Sequence, residues 1–194
     1  METSATPPTP EAEMAREPAI RWTDRIAALD RRFYDALRRH ALTPAGQRAL
    51  KFFVRIGDGW FWGVVLLALF STLESAQVMQ AVLRCLVAAG FSVGLYLTVK
   101  YSVRRLRPMV AWAEVHAEVP PLDKWSFPSG HVMNNLAVSI ALLPSLPLVG
   151  AVGVALPLAW GVLRVYFGVH YLSDIVGGAL MAIPCGIAAL VIFG

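Results

Sequence analysis

Charge is scarce in this chain: 15% of its 194 residues are Asp, Glu, Lys or Arg, against 57% that are apolar. A soluble domain carries about a quarter charged residues, so a water-solvated globular core is excluded and the fold is expected to be built in lipid. Cysteine is scarcer still. Cys85 and Cys185 both fall in apolar stretches, with no CxxC pair and no Cys/His ligand spacing. That excludes a disulfide framework and a zinc site and leaves two small buried hydrophobes. Residues 1–18, rich in Pro, Thr and Glu, lack the apolar run of a secretory signal and read as a disordered tail.

The net charge of +4 does not make a nucleic-acid binder, because the basic residues sit before the first apolar run or beside Pro108. No basic face interleaved with aromatic residues exists, and no nucleic-acid partner is expected.

Over residues 20–41, Trp22, Ile26, Leu29, Phe33 and Leu37 recur every three or four positions with Arg and Asp between them, the pattern of an amphipathic helix too charged to cross a bilayer. Such a helix suits the membrane interface or a bundle surface equally well. Gly57-Asp58-Gly59 then punctuates the chain before Trp60-Phe61-Trp62, a cluster suited to an interfacial belt.

A hydrocarbon core of about 30 Å needs roughly 20 residues of helix. On that ruler five spans are expected, at about 58–75, 78–100, 131–147, 149–168 and 174–193. Arg84 lies near the end of the second, where its side chain can snorkel. The apolar stretch 132–163 is too long for one helix and is broken by Pro144, Pro147 and Gly150. The expected fold is all-α: a polytopic transmembrane helix bundle of about five spans over 58–194, preceded by an amphipathic segment at 19–57.

In such a bundle the connections 101–130 and 168–173 emerge on one side, and they hold most of the polar residues unusual for a membrane protein. Lys100, Arg104 and Arg107 share a face if their helix continues to Pro108. Ser126-Phe127-Pro128-Ser129-Gly130-His131 opens an apolar helix, and a Ser-Gly helix start presents backbone N–H groups to an anion. Arg164, His170 and Asp174 follow. Each block alone has an ordinary structural explanation as anchor, cap or turn. Together, these cations at a single mouth would repel one another without an anionic guest, and phosphate fits the paired donors of Arg.

The order Lys100-(six residues)-Arg107-Pro108, then Pro128-Ser129-Gly130-His131, then Arg164-(five residues)-His170-(three residues)-Asp174 resembles the three-part signature of the type 2 phosphatidic acid phosphatase (PAP2) and vanadium haloperoxidase superfamily. One departure is Leu163, where the family commonly has Ser. The resemblance implies that Lys100, Arg107, Ser129, Gly130 and Arg164 hold phosphoryl oxygens. His170 would be the nucleophile, oriented by Asp174, and His131 the acid and then the base. Arg104 is outside the signature and is a candidate headgroup contact.

The expected activity is hydrolysis of a lipid phosphate or diphosphate through a phosphohistidine. Transfer of the phosphoryl group to another lipid is the alternative, and a transporter is a further one that predicts polar residues deep within spans. A soluble haloperoxidase does not suit a chain made mostly of spans. No metal and no cofactor are expected, since the mouth offers cations and a single matched carboxylate. The partners are the lipid substrate and membrane lipids. The multi-pass chain is placed in the cell membrane. Arg21, Arg25, Arg31, Arg32, Arg38, Arg39, Arg48, Lys51 and Arg55 all precede the first span, which points to a cytoplasmic mouth.

Overall fold

A computed structural model describes residues 22–39, 42–58, 60–72 and 74–193; the expected tail at 1–18 lies outside the described residues. Among them there are helices and no strand: α1 (Trp22–Arg38), α2 (Pro44–Ile56), α3 (Trp60–Thr72), α4 (Ser75–Val103), α5 (Pro108–Ala111), α6 (Gly130–Leu142), α7 (Pro147–Tyr166) and α8 (Leu172–Phe193). Local chemistry sets several boundaries. The Thr43 hydroxyl accepts from Gly46 N to cap α2, with Pro44 in its first turn. At the other end of the chain, the break between α6 and α7 falls where Pro144 and Pro147 predict it.

Three helices, α4, α7 and α8, are long and apolar enough to cross a membrane, and α2 with most of α3 qualifies only as a pair bent by 56°. Five straight spans are therefore not what length and composition give. The third expected span is α6, whose 13 residues reach only about 20 Å at 1.5 Å per residue. Its shortness follows from its place. α6 packs against α4, α7 and α8 at once and is the centre of the bundle.

Met133, Leu136, Ala137 and Ala141 of α6 interlock with Ala88 of α4 and with Ala182, Cys185 and Ala189 of α8. Small residues let membrane helices approach closely, so dispersion and packing, not water exclusion, hold this core. Gly178 shows such an approach near the mouth: a Cβ there would stand 2.8 Å from the Ser129 carbonyl oxygen. Outward, Leu67 and Phe70 of α3 and Leu180 and Val191 of α8 are exposed, as a lipid-facing surface requires. On the same helices' far side from the mouth, Arg84 donates through Nε and Nη2 to the Phe193 carbonyl, at 3.1 and 2.8 Å, so this cation serves the C-terminal end of α8.

The amphipathic α1 divides its apolar face. Phe33 and Leu37 pack on Val165 and Ile175 of the bundle, whereas Trp22, Ile26 and Leu29 remain exposed. Arg31 pairs with Glu114, and Arg38 and Lys51 pair with Glu118, so α1 and α2 fasten the long connection between α4 and α6. Two of the three aromatic residues expected at an interfacial belt turn to the bundle instead. Phe61 stacks edge-on against Trp160, and Trp62 Nε1 donates to Asn135 Oδ1 at 2.5 Å.

Candidate active site

The C-terminal ends of α4 and α7 and the N-terminal ends of α6 and α8 meet at one end of the bundle. Backbone bonds knit the two connections there: Met109 N donates to Gly168 O at 3.2 Å and Glu118 N to Phe167 O at 3.1 Å. Gly168 makes the turn possible, with φ of +74°. Inside lies a cavity of about 360 Å³ whose lining includes Lys100, Arg107, Gly130, His131, Arg164 and His170. Ser129, which precedes α6, and Asp174, in the first turn of α8, are fully buried beside these residues.

Arg104 does not join them. The helix stops at Val103, and Arg104 takes a left-handed conformation with φ of 50° that turns the chain. Lys100, Arg104 and Arg107 therefore share no helical face. Arg104 is exposed, its Nε donating to the Tyr101 carbonyl at 2.8 Å. It is the next residue, Arg105, that points inward. Leu163, the departure from the signature, packs with Val54, Val119, Phe167 and Val169.

His170 is held on both ring nitrogens. Nδ1 lies 3.3 Å from Asp174 Oδ2, and Nε2 lies 3.4 Å from Arg107 Nη1. The Asp174 oxygen is itself fixed by the Tyr171 backbone N–H at 2.8 Å. Arg107 Nη1 also donates to the Val169 carbonyl at 2.7 Å, which ties the α4–α6 connection to the loop that carries His170.

Two carboxylates that carry no signature complete the cavity. Asp123 accepts from Lys100 Nζ at 2.7 and 2.8 Å, from Arg107 Nη2 at 2.9 Å and from the Tyr96 hydroxyl at 2.5 Å. Asp58 Oδ1 accepts from Arg164 Nη2 at 2.9 Å and also bonds His131 Nε2, which brings the guanidinium to 2.6 Å from the imidazole. Their sequence signals were weak: Asp58 is polar punctuation before an apolar run, Tyr96 stands one turn before Lys100, and Asp123 is one loop residue among many. Asn134 and Asn135, one turn into α6, line the cavity as well.

Burial raises the Asp123 carboxyl, but the hydrogen bonds from Lys100 and Tyr96 outweigh it and bring it down to about 2. Burial pushes the His170 imidazole down to about 4 despite the pull of Asp174, so the ring is neutral at pH 7 and its Nε2 keeps a lone pair. Among the described residues no group of three or more His, Cys, Asp or Glu is arranged to hold a metal ion. Two buried donors at this mouth, Ser129 Oγ and Arg164 Nε, have no hydrogen-bond partner. Leaving such groups unpaired costs about 1–3 kcal/mol each, more for a charged one.

The PAP2 superfamily family model matches residues 81–194. The chain belongs to that superfamily. All three blocks of the cavity fall inside the PAP2 match, which leaves α1, α2, Asp58, α3 and the start of α4 ahead of it. The undecaprenyl-diphosphatase BcrC of Bacillus subtilis (strain 168) is 36% identical over 98 residues, 50% of this chain and 49% of that protein. The chain thus spans about half the length of that curated relative. Two solved structures share the PAP2 fold. A transmembrane PAP2 type phosphatidylglycerolphosphate phosphatase from Bacillus subtilis superposes with a TM-score of 0.68 at 20% identity, covering 88% of this chain and 87% of that one. Aquifex aeolicus LpxE superposes with a TM-score of 0.64 at 24% identity, covering 90% and 96%. With three helices of membrane-crossing length and apolarity, this PAP2 member is an integral membrane protein.

Proposed function

We propose that the protein is a lipid phosphatase that releases phosphate from a lipid phosphate or diphosphate through a phosphohistidine on His170. The observation that carries this reading is the pair of unpartnered buried donors, Ser129 Oγ and Arg164 Nε, beside a cavity lined by Lys100, Arg107 and Arg164. Asp58 and Asp123 pair with these cations and supply negative charge to them. A phosphoryl group would bring that charge itself and satisfy the orphaned donors.

The steps follow from the atoms. Asp174 Oδ2 accepts a hydrogen bond from His170 Nδ1–H and so fixes the tautomer whose Nε2 lone pair attacks phosphorus. As the P–O bond to the lipid breaks, the leaving oxygen takes a proton from His131. Lys100, Arg107, Arg164 and the first-turn N–H groups of α6 stabilise the developing charge. His131 then removes a proton from water, which attacks the phosphohistidine. Its bond to Asp58 holds the ring.

A second cavity supports a lipid leaving group over a soluble one. An apolar groove of about 340 Å³ runs between α3, α4 and α6, lined by Val65, Leu69, Val82, Leu86 and Val138, and shares Trp62 and Asn134 with the charged cavity. It offers a path from the phosphate site to the hydrocarbon layer. The mouth is proposed to face the cytoplasm of a cell membrane.

The deciding experiment assays purified protein in detergent for phosphate release from polyprenyl diphosphate, phosphatidate, phosphatidylglycerol phosphate and a water-soluble phosphomonoester. Turnover of at least one lipid, with the soluble ester poorer, is expected. Ala89→Trp in the groove should raise KM about tenfold for a long-chain substrate while sparing a short-chain one, since it removes uniform binding. Activity confined to the soluble ester, or lipid substrate consumed only when an acceptor lipid is added, with the phosphoryl group recovered on that acceptor and not as free phosphate, would overturn the lipid hydrolase reading.

A further inference from the structure

Midway along the amphipathic α1 sits a carboxylate whose surroundings contradict a solvated face: Asp30 is 1% exposed. Its Oδ1 accepts from the backbone N–H of Ser173 at 2.8 Å, and its Oδ2 from the Ser173 hydroxyl at 2.6 Å and from Arg105 Nη2 at 2.7 Å. Ser173 lies in the first turn of α8, where backbone N–H groups lack helical partners and favour negative charge. Arg105 bridges onward. Its Nη1 donates to Asp174 Oδ1 at 2.8 Å and to Ser173 Oγ at 2.6 Å, while the guanidinium lies 3.8 Å from the Tyr171 ring centroid. Asp174 in turn presents Oδ2 to His170 Nδ1.

The result is one connected chain, Asp30 to Arg105 to Asp174 to His170, in which carboxylate and guanidinium alternate before the imidazole. Asp174 has no exposed surface, and a buried carboxylate needs a cation and several donors to stay ionised and in place. Arg105 meets that need with a planar fork that fixes the side chain's direction. Arg105 alone, however, would cancel the charge of Asp174 just where His170 becomes positive on phosphoryl transfer. Asp30 offsets it, leaving one net negative charge on the trio behind the imidazole.

We propose that Asp30, acting through Arg105, is a positioning residue for His170, so that the docked α1 is a working part of the active site. The inference rests on the reading of His170 as nucleophile. It assigns a role to two residues outside the three-part signature, one of them ahead of the region matched by the family model. A contact that merely fastened α1 to the bundle would need neither two-oxygen recognition of the residue adjoining Asp174 nor a guanidinium shared between two carboxylates.

The test compares wild type, Asp30→Asn, Asp30→Glu, Arg105→Met and the Asp30→Asn/Arg105→Met pair for kcat, KM, vanadate affinity by titration calorimetry and thermal unfolding. Asp30→Asn should lower kcat about tenfold to a hundredfold with KM within about twofold, the signature of lost orientation without lost substrate contact. Vanadate, which resembles the transition state, should bind more weakly by a similar factor, and Asp30→Glu should recover part of both. In the Arg105→Met background, Asp30→Asn should add nothing, because its influence passes through that guanidinium. Should Asp30→Asn fail to fold, Arg105→Lys keeps the charge, loses the fork and must show the same split between kcat and KM.

A variant that loses only thermal stability, with kcat per folded molecule unchanged, would overturn the proposal, as would fully additive losses in the pair. If wild type hydrolysed no lipid phosphate the functional reading would fall separately. Vanadate affinity would then judge this inference alone, with equal binding by wild type and Asp30→Asn counting against it.

Discussion

Lys100 and Asp123 form an ion pair at the floor of the cavity, Nζ 2.7 Å from Oδ2, with the ammonium side chain 2% exposed and the carboxylate 27%. The same carboxylate holds Arg107 at 2.9 Å. Two cations are thereby kept close together.

Asp123→Asn should therefore lower stability in anion-free buffer. Breaking a fully buried pair costs about 3–5 kcal/mol, and partial exposure of this carboxylate reduces the expected loss to about 1–3 kcal/mol. The freed donors should also bind phosphate or vanadate more tightly. Added anion should then raise the unfolding temperature more in the variant than in wild type, by linkage. An equal or smaller shift in the variant would show that Asp123 does not stand in for the anion's charge.

The depressed His170 value makes a second prediction, readable by nitrogen-15 NMR of the ligand-free protein in detergent. The ring should remain neutral as pH falls below its ordinary 6.5 and protonate only near about 4. Because the unfolded chain binds that proton first, stability contributed by the neutral ring is full above 6.5 and declines as pH falls toward 4. A titration near the ordinary value would mean the imidazole is better solvated or more strongly paired with Asp174 than its burial implies.

Much of the site was legible because its blocks have fixed internal spacing: Lys100 to Arg107, Ser129 to His131, and Arg164 to Asp174 each lie close together along the chain. Convergence of those blocks followed from helix parity, and the hairpin break from Pro144 and Pro147. The carboxylates were not legible in the same way. Asp30 meets Ser173 across 143 positions and Asp58 meets Arg164 across 106, so no spacing rule connects them. Polar residues on an amphipathic helix are read as solvated by default, and that default concealed Asp30. That Arg105 turns inward, where Arg104 was the residue expected, depends on where α4 stops, which one left-handed residue decides. The five expected spans compare with three helices of membrane-crossing length and apolarity among the described residues, because apolarity marks burial as well as lipid contact and α6 is packed on three sides.

Orientation can be decided by fusion. α8 runs from the mouth to the far end of the bundle, where Phe193 meets Gln80 and Arg84. Alkaline phosphatase, active only outside the cytoplasm, should be active when fused after Gly194 if the mouth is cytoplasmic. A silent phosphatase paired with a fluorescent protein that lights up at the same position would place the mouth outside.

The most direct test of the account is to look for the covalent intermediate itself. Protein turning over a lipid phosphate is quenched in alkali, where phosphohistidine survives, and the peptide containing His170 is examined by mass spectrometry. The account predicts phosphate on His170 during turnover, and a His170→Ala variant that stays folded, carries no phosphate and keeps less than about one per cent of activity, as loss of a nucleophile with no substitute requires. Steady turnover with an unmodified His170 peptide, or substantial activity in His170→Ala, would contradict it.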